Sequence, residues 1–448
     1  MALSGLEIYK LLPQTNCKEC GYPTCLAFAM KLAAKQAELK DCPYVSDEAK
    51  AKLEAASAPP IRLVKLEGVD TAVEVGNETV MFRHEKTFYH MPGLFLRVKS
   101  SQGSDEIKKV VAEADAYQTD YVGIDLYLDG YAVEADGDAA AFGAAVKAVR
   151  EASQRPIILL APDPDLAKAG LEAAEGTRPL IYAADADNWE AMAEVAKQAG
   201  APLAIKAGTL DELAELTGKL KDAGVEDLVI DPMPTGYLDG LEKMTALRRL
   251  ALKENFRLLG FPIIAFPHEI EGADEILLAS QYIAKYAGFI VLDTFDPASL
   301  YALLVLRQNI YTDPQKPIQV QPGLYEINTP DGSAPLMVTT NFSITYFSVA
   351  NEIEGSGWPA YLLVTDAEGM SVLTAWAAGK FDAERIAKAV KAFEVDSKVP
   401  HKKLILPGQV AVLSGELEEE LPGWEIMVGP REAVDIATYL KTMWSNGK

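Results

Sequence analysis

The 448-residue sequence predicts a multidomain α/β chain. A small N-terminal module comes first, then a central (β/α)8 TIM-type barrel, then a C-terminal doubly wound, flavodoxin-like domain. Three observations predict this. All four cysteines lie within the first 42 residues. From residue 93, short apolar runs alternate eight times with alanine-rich helical patterns. After a proline-rich stretch, a second strand–helix rhythm occupies the end of the chain. At about 150 residues per domain the length allows about three domains, drawn at 1–58, 59–311 and 312–448.

The first module is defined by Cys17-x2-Cys20-x4-Cys25-x16-Cys42. No basic segment followed by an apolar run opens the chain, and no run approaches the ~18 apolar residues of a membrane span, so a cytoplasmic protein is expected. Cysteines there stay reduced, and clustered ones serve as metal ligands or redox groups. Structural zinc usually takes two separated Cys-x2-Cys pairs. Three thiols from one loop and a fourth standing alone suit a four-iron four-sulfur cluster better; zinc and plain thiols are the alternatives. Gly21 and Pro23 let the chain wrap closely, and Thr24–Glu38 reads as a helix with Leu26, Met30 and Ala33 along one face. The net charge of −23 and pI near 4.7 argue against nucleic acid or an anionic membrane as partner, although many cytosolic proteins are acidic.

Residues 47–60, DEAKAKLEAASAPP, read as a helix end and stiff linker. Residues 61–90 alternate as a hairpin or meander, with Gly76-Asn77 as its turn. The barrel strands are expected at 94–98, 121–126, 157–161, 180–183, 203–207, 228–231, 263–266 and 289–293. An open doubly wound sheet competes, and the count of eight decides for the barrel. Asp125, Asp163, Asp185, Lys206, Asp231, His268 and Asp293 would ring its C-terminal mouth. Loop and helix-capping chemistry explains such residues equally well. His84, His90, His268 and His401 are too scattered for a metal centre, and neither a Gly-rich phosphate loop nor HExxH occurs.

Residues 312–334 hold four prolines and mark the second boundary. Beyond it, PLMVTT, AYLLVTDAEG, KKLILPG and WEIMVGP read as strands, and Asp382 as a helix N-cap. In such sheets ligands bind beyond the carboxyl ends of the strands, here TTNFS, TDAEGMSVLT, LPGQVA and VGPREA. Ordinary βα loops would look the same.

The cysteine spacing, the barrel rhythm and the segments TTNFS, LVTDAEGMSVLTAWAAGKF, LILPG and VGPREA together resemble one family across the chain. It is the large (gamma) subunit family of the corrinoid iron–sulfur proteins of the acetyl-CoA (Wood–Ljungdahl) pathway, or acetyl-CoA decarbonylase/synthase. The resemblance implies a four-iron four-sulfur cluster on Cys17, Cys20, Cys25 and Cys42 and a cobalt corrinoid, a cobamide, on the C-terminal domain. Its contacts would fall on Thr340, Thr345 or Tyr346, Gly369, Met370, Ser371, Val372, Leu373, Thr374, Gly408, Arg431, Glu432 and Ala433. It further implies a methyl carrier acting as a heterodimer with a small subunit. A methyltetrahydrofolate methyltransferase would load the methyl group, acetyl-CoA synthase would receive it, and a low-potential donor such as ferredoxin would serve the cluster. The Asp-x-His-x-x-G motif of many corrinoid domains is missing; His401 sits in VPHKK. A base-off cobalt with no His ligand is therefore expected, with Thr374 near its lower face. No side-chain nucleophile is expected, the corrinoid carrying the chemistry. Two other readings stand beside this one: an electron-transfer protein with a flavin on the last domain, and a barrel methyltransferase with a pterin at its mouth.

Overall fold

Helices Gly5–Leu11 and Cys25–Ala33 pack together at the start of the chain, around a core of Ile8, Leu12, Phe28 and Ala29 that also takes in Cys25 and Cys42. The computed structural model describes residues 5–33, 37, 39–46, 49–50, 53, 59–121, 124–313 and 318–444. Most of the linker read at 47–60, and the end of the helix read to Glu38, lie outside these. Within the second helix the inward face is Cys25, Phe28 and Ala29, whereas Leu26 and Met30 face solvent.

Strands β1 (Val64–Glu67) and β2 (Ala72–Val75) form an antiparallel hairpin. Its turn is 68–71; Gly76-Asn77 follows β2 instead, with both residues at positive φ. Val64, Leu66, Val73 and Val75 pack into one cluster with Phe95, Ile158, Leu180 and Phe289, which closes the base of the barrel. The Gly68 backbone lies so close to the Gln154 carbonyl that a Cβ would stand 2.2 Å from that oxygen, so the hairpin tip admits only glycine.

The barrel is closed and all parallel: β3 (Gly93–Lys99), β6 (Gly130–Glu134), β7 (Ile157–Leu160), β8 (Leu180–Ala184), β9 (Leu203–Lys206), β10 (Leu228–Asp231), β11 (Ile263–Ala265) and β12 (Ala287–Leu292), with β12 returning to β3. Strands buried on both faces read as continuous apolar runs, and β7, β10 and β12 are buried throughout. One predicted strand is wrong. Residues 121–126 do not enter the barrel; Gln118–Tyr121 (β4) and Ile124–Tyr127 (β5) form a separate two-stranded sheet. The barrel takes Gly-Tyr-Ala-Val at 130–133, all buried, whereas Asp125 and Tyr127 are exposed and could not face a core. Asp125 therefore leaves the predicted ring, and Glu134 stands at the end of that strand.

The C-terminal sheet has the order β13 (Gly323–Ile327), β15 (Ala360–Thr365), β14 (Leu336–Thr340), β16 (Lys403–Leu406), β17 (Glu425–Val428). The last four are parallel in the order 2-1-3-4, and β13 runs antiparallel at the edge. The sheet is thus mixed: four parallel strands, in keeping with the mostly parallel sheet expected, and one antiparallel edge strand that the flavodoxin-like expectation did not include. The proline-rich 312–334 stretch, read only as a boundary, contributes that edge strand. Alternation places Leu336, Val338, Leu363 and Leu404 in one core with helix Ala383–Ala392, and Met337, Leu362, Val364 and Ile405 in another with helix Ser343–Ser356. Asp382 caps its helix as expected, accepting from Arg385 N at 2.8 Å. The chain packs as two compact units, Met1–Gln118 with Tyr127–Tyr311, and Thr119–Leu126 with Thr312–Lys448.

Candidate cofactor-binding sites

The cysteine loop is built from left-handed backbone at Asn16, Lys18 and Gly21. Asn16 and Cys25 hold it closed: Cys25 N donates to Asn16 Oδ1 at 2.8 Å, and Asn16 N donates to Cys25 Sγ at 3.4 Å. Thr24 Oγ1 accepts from Ala27 N, so Cys25 opens its helix. Cys25 and Cys42 are buried in the module core, Cys20 packs against it, and Cys17 is exposed. Among the described residues no three His, Cys, Asp or Glu converge on a single-ion site. A donor set of four thiols fits a multi-iron cluster better than one zinc ion.

The second site is a crevice in the C-terminal sheet. β14 pairs with β15 over five residues, but with β16 only at Leu336–Leu404 and Met337–Ile405. Beyond that point the sheet splits at its topological switch, where doubly wound sheets bind ligands. A groove of about 210 Å³ opens there, lined from the four βα connections. Thr339 and Thr340 are buried beside the split, and neither hydroxyl has a hydrogen-bond partner. Buried polar atoms are normally satisfied, and of the two hydroxyls that of Thr339 belongs to a residue lining the groove. Each connection also exposes an apolar side chain: Ile344, Leu373, Val412 and Val434.

The structure brings Thr345, Ser371, Val372, Arg431, Glu432 and Ala433 together in this groove. Gly408 backs it: a Cβ there would meet Gly429 O at 2.4 Å, and its N–H donates to Pro430 O at 2.9 Å. Gly369, at φ +71°, and Met370 belong to the turn before Ser371, which Asn341 Oδ1 holds by accepting from the N–H groups of Ala367 and Gly369. Leu373 is exposed, and the exposed Thr374 hydroxyl meets that of Ser371 at 3.0 Å. Tyr346 points elsewhere, against Tyr325 at 5.1 Å. Thr339, Gln409 and Pro430 also line the groove; they lie in the strand-end segments TTNFS, LPGQVA and VGPREA marked from the sequence but were not named there as individual contacts. His401 is committed elsewhere: Nε2 donates to Ala334 O at 2.9 Å, and Nδ1 accepts from Lys403 N at 3.0 Å.

At the barrel mouth, Asp163 is a helix cap, accepting from Asp165 N at 2.8 Å. Arg97 joins Glu134 and Asp293 at 2.9 and 2.6 Å. His268 is buried, with Nδ1 3.1 Å from Val291 O. Burial, and then the Arg97 charge, lower its pKa to about 4. It is therefore neutral at pH 7, and its approaches to Glu269 and Glu275 at 4.0 and 3.9 Å are not ion pairs. The sign follows directly. A histidine with a depressed folded pKa adds stability above ~6.5, its ordinary value, and loses it as pH falls towards about 4. At about 1.4 kcal/mol per pH unit, His268 contributes an acid limb of about 3 kcal/mol. Stability measured from pH 7 to 4 falls less steeply in His268→Gln than in the native chain; identical limbs would refute this.

A cysteine-bearing module, a closed β/α barrel and a split α/β sheet with an open groove define a multidomain cofactor protein. The chain matches the family of the CO dehydrogenase/acetyl-CoA synthase delta subunit over residues 64–440, and an Fe-S cluster family over 12–44, which spans all four cysteines. It is 47% identical to a corrinoid/iron-sulfur protein large subunit from Moorella thermoacetica, covering 98% of this chain and 99% of that one. It is 34% and 35% identical to acetyl-CoA decarbonylase/synthase complex gamma subunits from Methanopyrus kandleri and Archaeoglobus fulgidus, covering 98% of this chain and 97% and 98% of theirs. The chain belongs to the family of corrinoid/iron–sulfur protein large subunits, the gamma subunits of acetyl-CoA decarbonylase/synthase.

Proposed function

We propose that this chain is the methyl-carrying subunit of a corrinoid iron–sulfur protein. Bound in the groove, a cobalt corrinoid supplies a low-valent cobalt nucleophile. A chain holding it would serve as a methyl carrier, loaded from methyltetrahydrofolate by a separate methyltransferase and unloaded by acetyl-CoA synthase. Cys17, Cys20, Cys25 and Cys42 would hold a four-iron cluster, which would supply low-potential electrons from a donor such as ferredoxin to keep the corrinoid reduced. The observation that carries this reading is whole-length identity to such a subunit, together with a split sheet whose buried Thr339 and Thr340 hydroxyls lack partners.

The chain's own residues hold and orient. Thr345 and Ser371 line the crevice with hydroxyls, Arg431 and Glu432 with charge, and Val372 and Ala433 with apolar surface. Asn341 fixes the turn that presents Ser371 to Thr374. These residues would hold a corrinoid along the groove of about 210 Å³. Ile344, Leu373, Val412 and Val434 then present an apolar face for a capping small subunit. No histidine lines the groove among the described residues, and both ring nitrogens of His401 are hydrogen-bonded elsewhere.

The test is anoxic metal analysis and EPR of protein purified with its native partners. About one cobalt and four irons per chain, with a Co(II) signal free of nitrogen splitting, are expected. Iron without cobalt, with bound flavin, would move the assignment to electron transfer. Ala433→Trp fills the groove and lowers cobalt content about tenfold at unchanged iron; equal cobalt would place the corrinoid elsewhere.

A further inference from the structure

Asn341 follows β14, is 1% exposed, and does not line the groove. Every hydrogen-bonding position of its amide is used. Oδ1 accepts from the N–H groups of Ala367 and Gly369 at 2.9 and 3.1 Å. Nδ2 donates to Gln319 Oε1 at 3.1 Å and to Asp366 Oδ1 at 3.3 Å. Backbone N–H groups only donate, so the amide oxygen must face the turn and Nδ2 must face Gln319 and Asp366. The backbone of Asn341 repeats the connection: its N–H donates to Thr365 O at 3.0 Å, and its carbonyl accepts from Val320 N at 2.9 Å. The segment 318–320, the end of β14 and the 366–370 turn therefore meet on one residue. The turn needs such a hold. Glu368 and Gly369 are left-handed in succession, at φ +53° and +71°, a backbone uncommon outside glycine. The exposed Lys380–Glu368 pair on its outer side adds little. Gly369 also lies against Gln319: a Cβ there would stand 2.8 Å from Gln319 Cγ.

We propose that Asn341 is a positioning residue for the groove, and that Gln319, which does not line the groove either, sets ligand affinity through it. This rests on the groove's being the corrinoid site. The four-bonded amide locks 318–320 to the 366–370 turn, and the turn delivers Ser371, where the groove rim begins. Asparagine alone among side chains of this length combines two acceptor and two donor positions; aspartate keeps the acceptors and lacks the donors, and leucine lacks both. A turn held from one buried point has one arrangement, so a ligand lying on its rim does not have to order it. With the hold released, the ordering of 366–371 falls on the ligand, and affinity drops.

The test uses the full chain prepared without corrinoid and needs no methyl transfer. Amide hydrogen exchange at Ala367 and Gly369 is measured first, and the same preparations are then titrated anoxically with hydroxocobinamide. Asn341→Asp sets a carboxylate opposite that of Asp366; it quickens exchange at both amides and weakens cobinamide about tenfold. In the double variant Asn341→Asp with Asp366→Asn, donor and acceptor change places at native net charge. Exchange and affinity then return to within about threefold of native, a repair that a side chain acting only by filling space would not show. Gln319→Leu, at a half-buried position outside the groove, quickens the same exchange and weakens binding several-fold. It decides the matter if Asn341→Asp does not fold. Native exchange in the single variants, faster exchange with native affinity, or no recovery in the double variant overturns the proposal. If the native chain takes up no cobinamide, the corrinoid assignment of the groove falls, while exchange in the variants still decides whether Asn341 sets the turn.

Discussion

Glu78→Ala destabilises the barrel unit by about 3–5 kcal/mol, the range for removing one partner of a buried ion pair. The Glu78 carboxylate accepts from the N–H groups of Tyr89 and His90 at 2.7 and 2.9 Å and from Arg248 Nη2 at 3.2 Å. The Arg248 side chain is 5% exposed, donates to Val80 O at 2.7 Å, and faces the Phe88 and Tyr286 rings at 5.4 and 4.9 Å. Burial pulls its pKa down, while the Glu78 charge holds it up. A guanidinium does not shed its proton, so without Glu78 a buried charge and two backbone donors are left unanswered. Denaturant unfolding of the barrel unit reads the loss. Glu78→Gln combined with Arg248→Met recovers much of it, since a neutral pair buries no charge. A loss under about 1 kcal/mol would show that this pair is not what joins the 78–90 segment to the barrel.

What could be read from sequence was what depends on neighbours along the chain. The cysteine spacing is local, and so is the Asp163 cap, whose Pro164 already signals a first helical turn. The eightfold rhythm was legible as a count. Its second member was misplaced because residues 121–126 and 130–134 are both short β-prone runs. Only packing against β3 and β7, which buries Tyr131 and Val133, separates them. The edge strand β13 was hidden by prolines on either side, and edge positions tolerate proline best. Loops that carry the groove could be named from the chain. Their meeting at Thr339 could not, because it depends on where β14 stops pairing with β16, two segments over sixty residues apart.

Cys42→Ser removes the cluster: iron falls from about four per chain to near zero, with cobalt unchanged. Cys42 and Cys25 are 5% and 6% exposed and share their core with Ile8, Leu12 and Phe28. A serine hydroxyl stays protonated at neutral pH, its oxygen is a harder donor than a thiolate, and it binds iron–sulfur clusters poorly. It is also a hydroxyl in an apolar core, and bound metal is part of the folding energy of so small a module. Cys17, exposed at the edge of the loop, is different. Its replacement disturbs the ligand set without disturbing the core, so Cys17→Ser leaves the module folded and a partial cluster detectable by EPR. Functionally the two losses converge. On the proposed function, methyl transfer continues in both variants when a strong chemical reductant is present, because the groove and its residues are untouched. With a protein donor alone, both variants lose activity with each accidental oxidation of cobalt and do not regain it. Full recovery in Cys42→Ser from a protein donor would mean that electrons reach the corrinoid without the cluster. The four cysteines would then be a structural device rather than the redox entry to the chain.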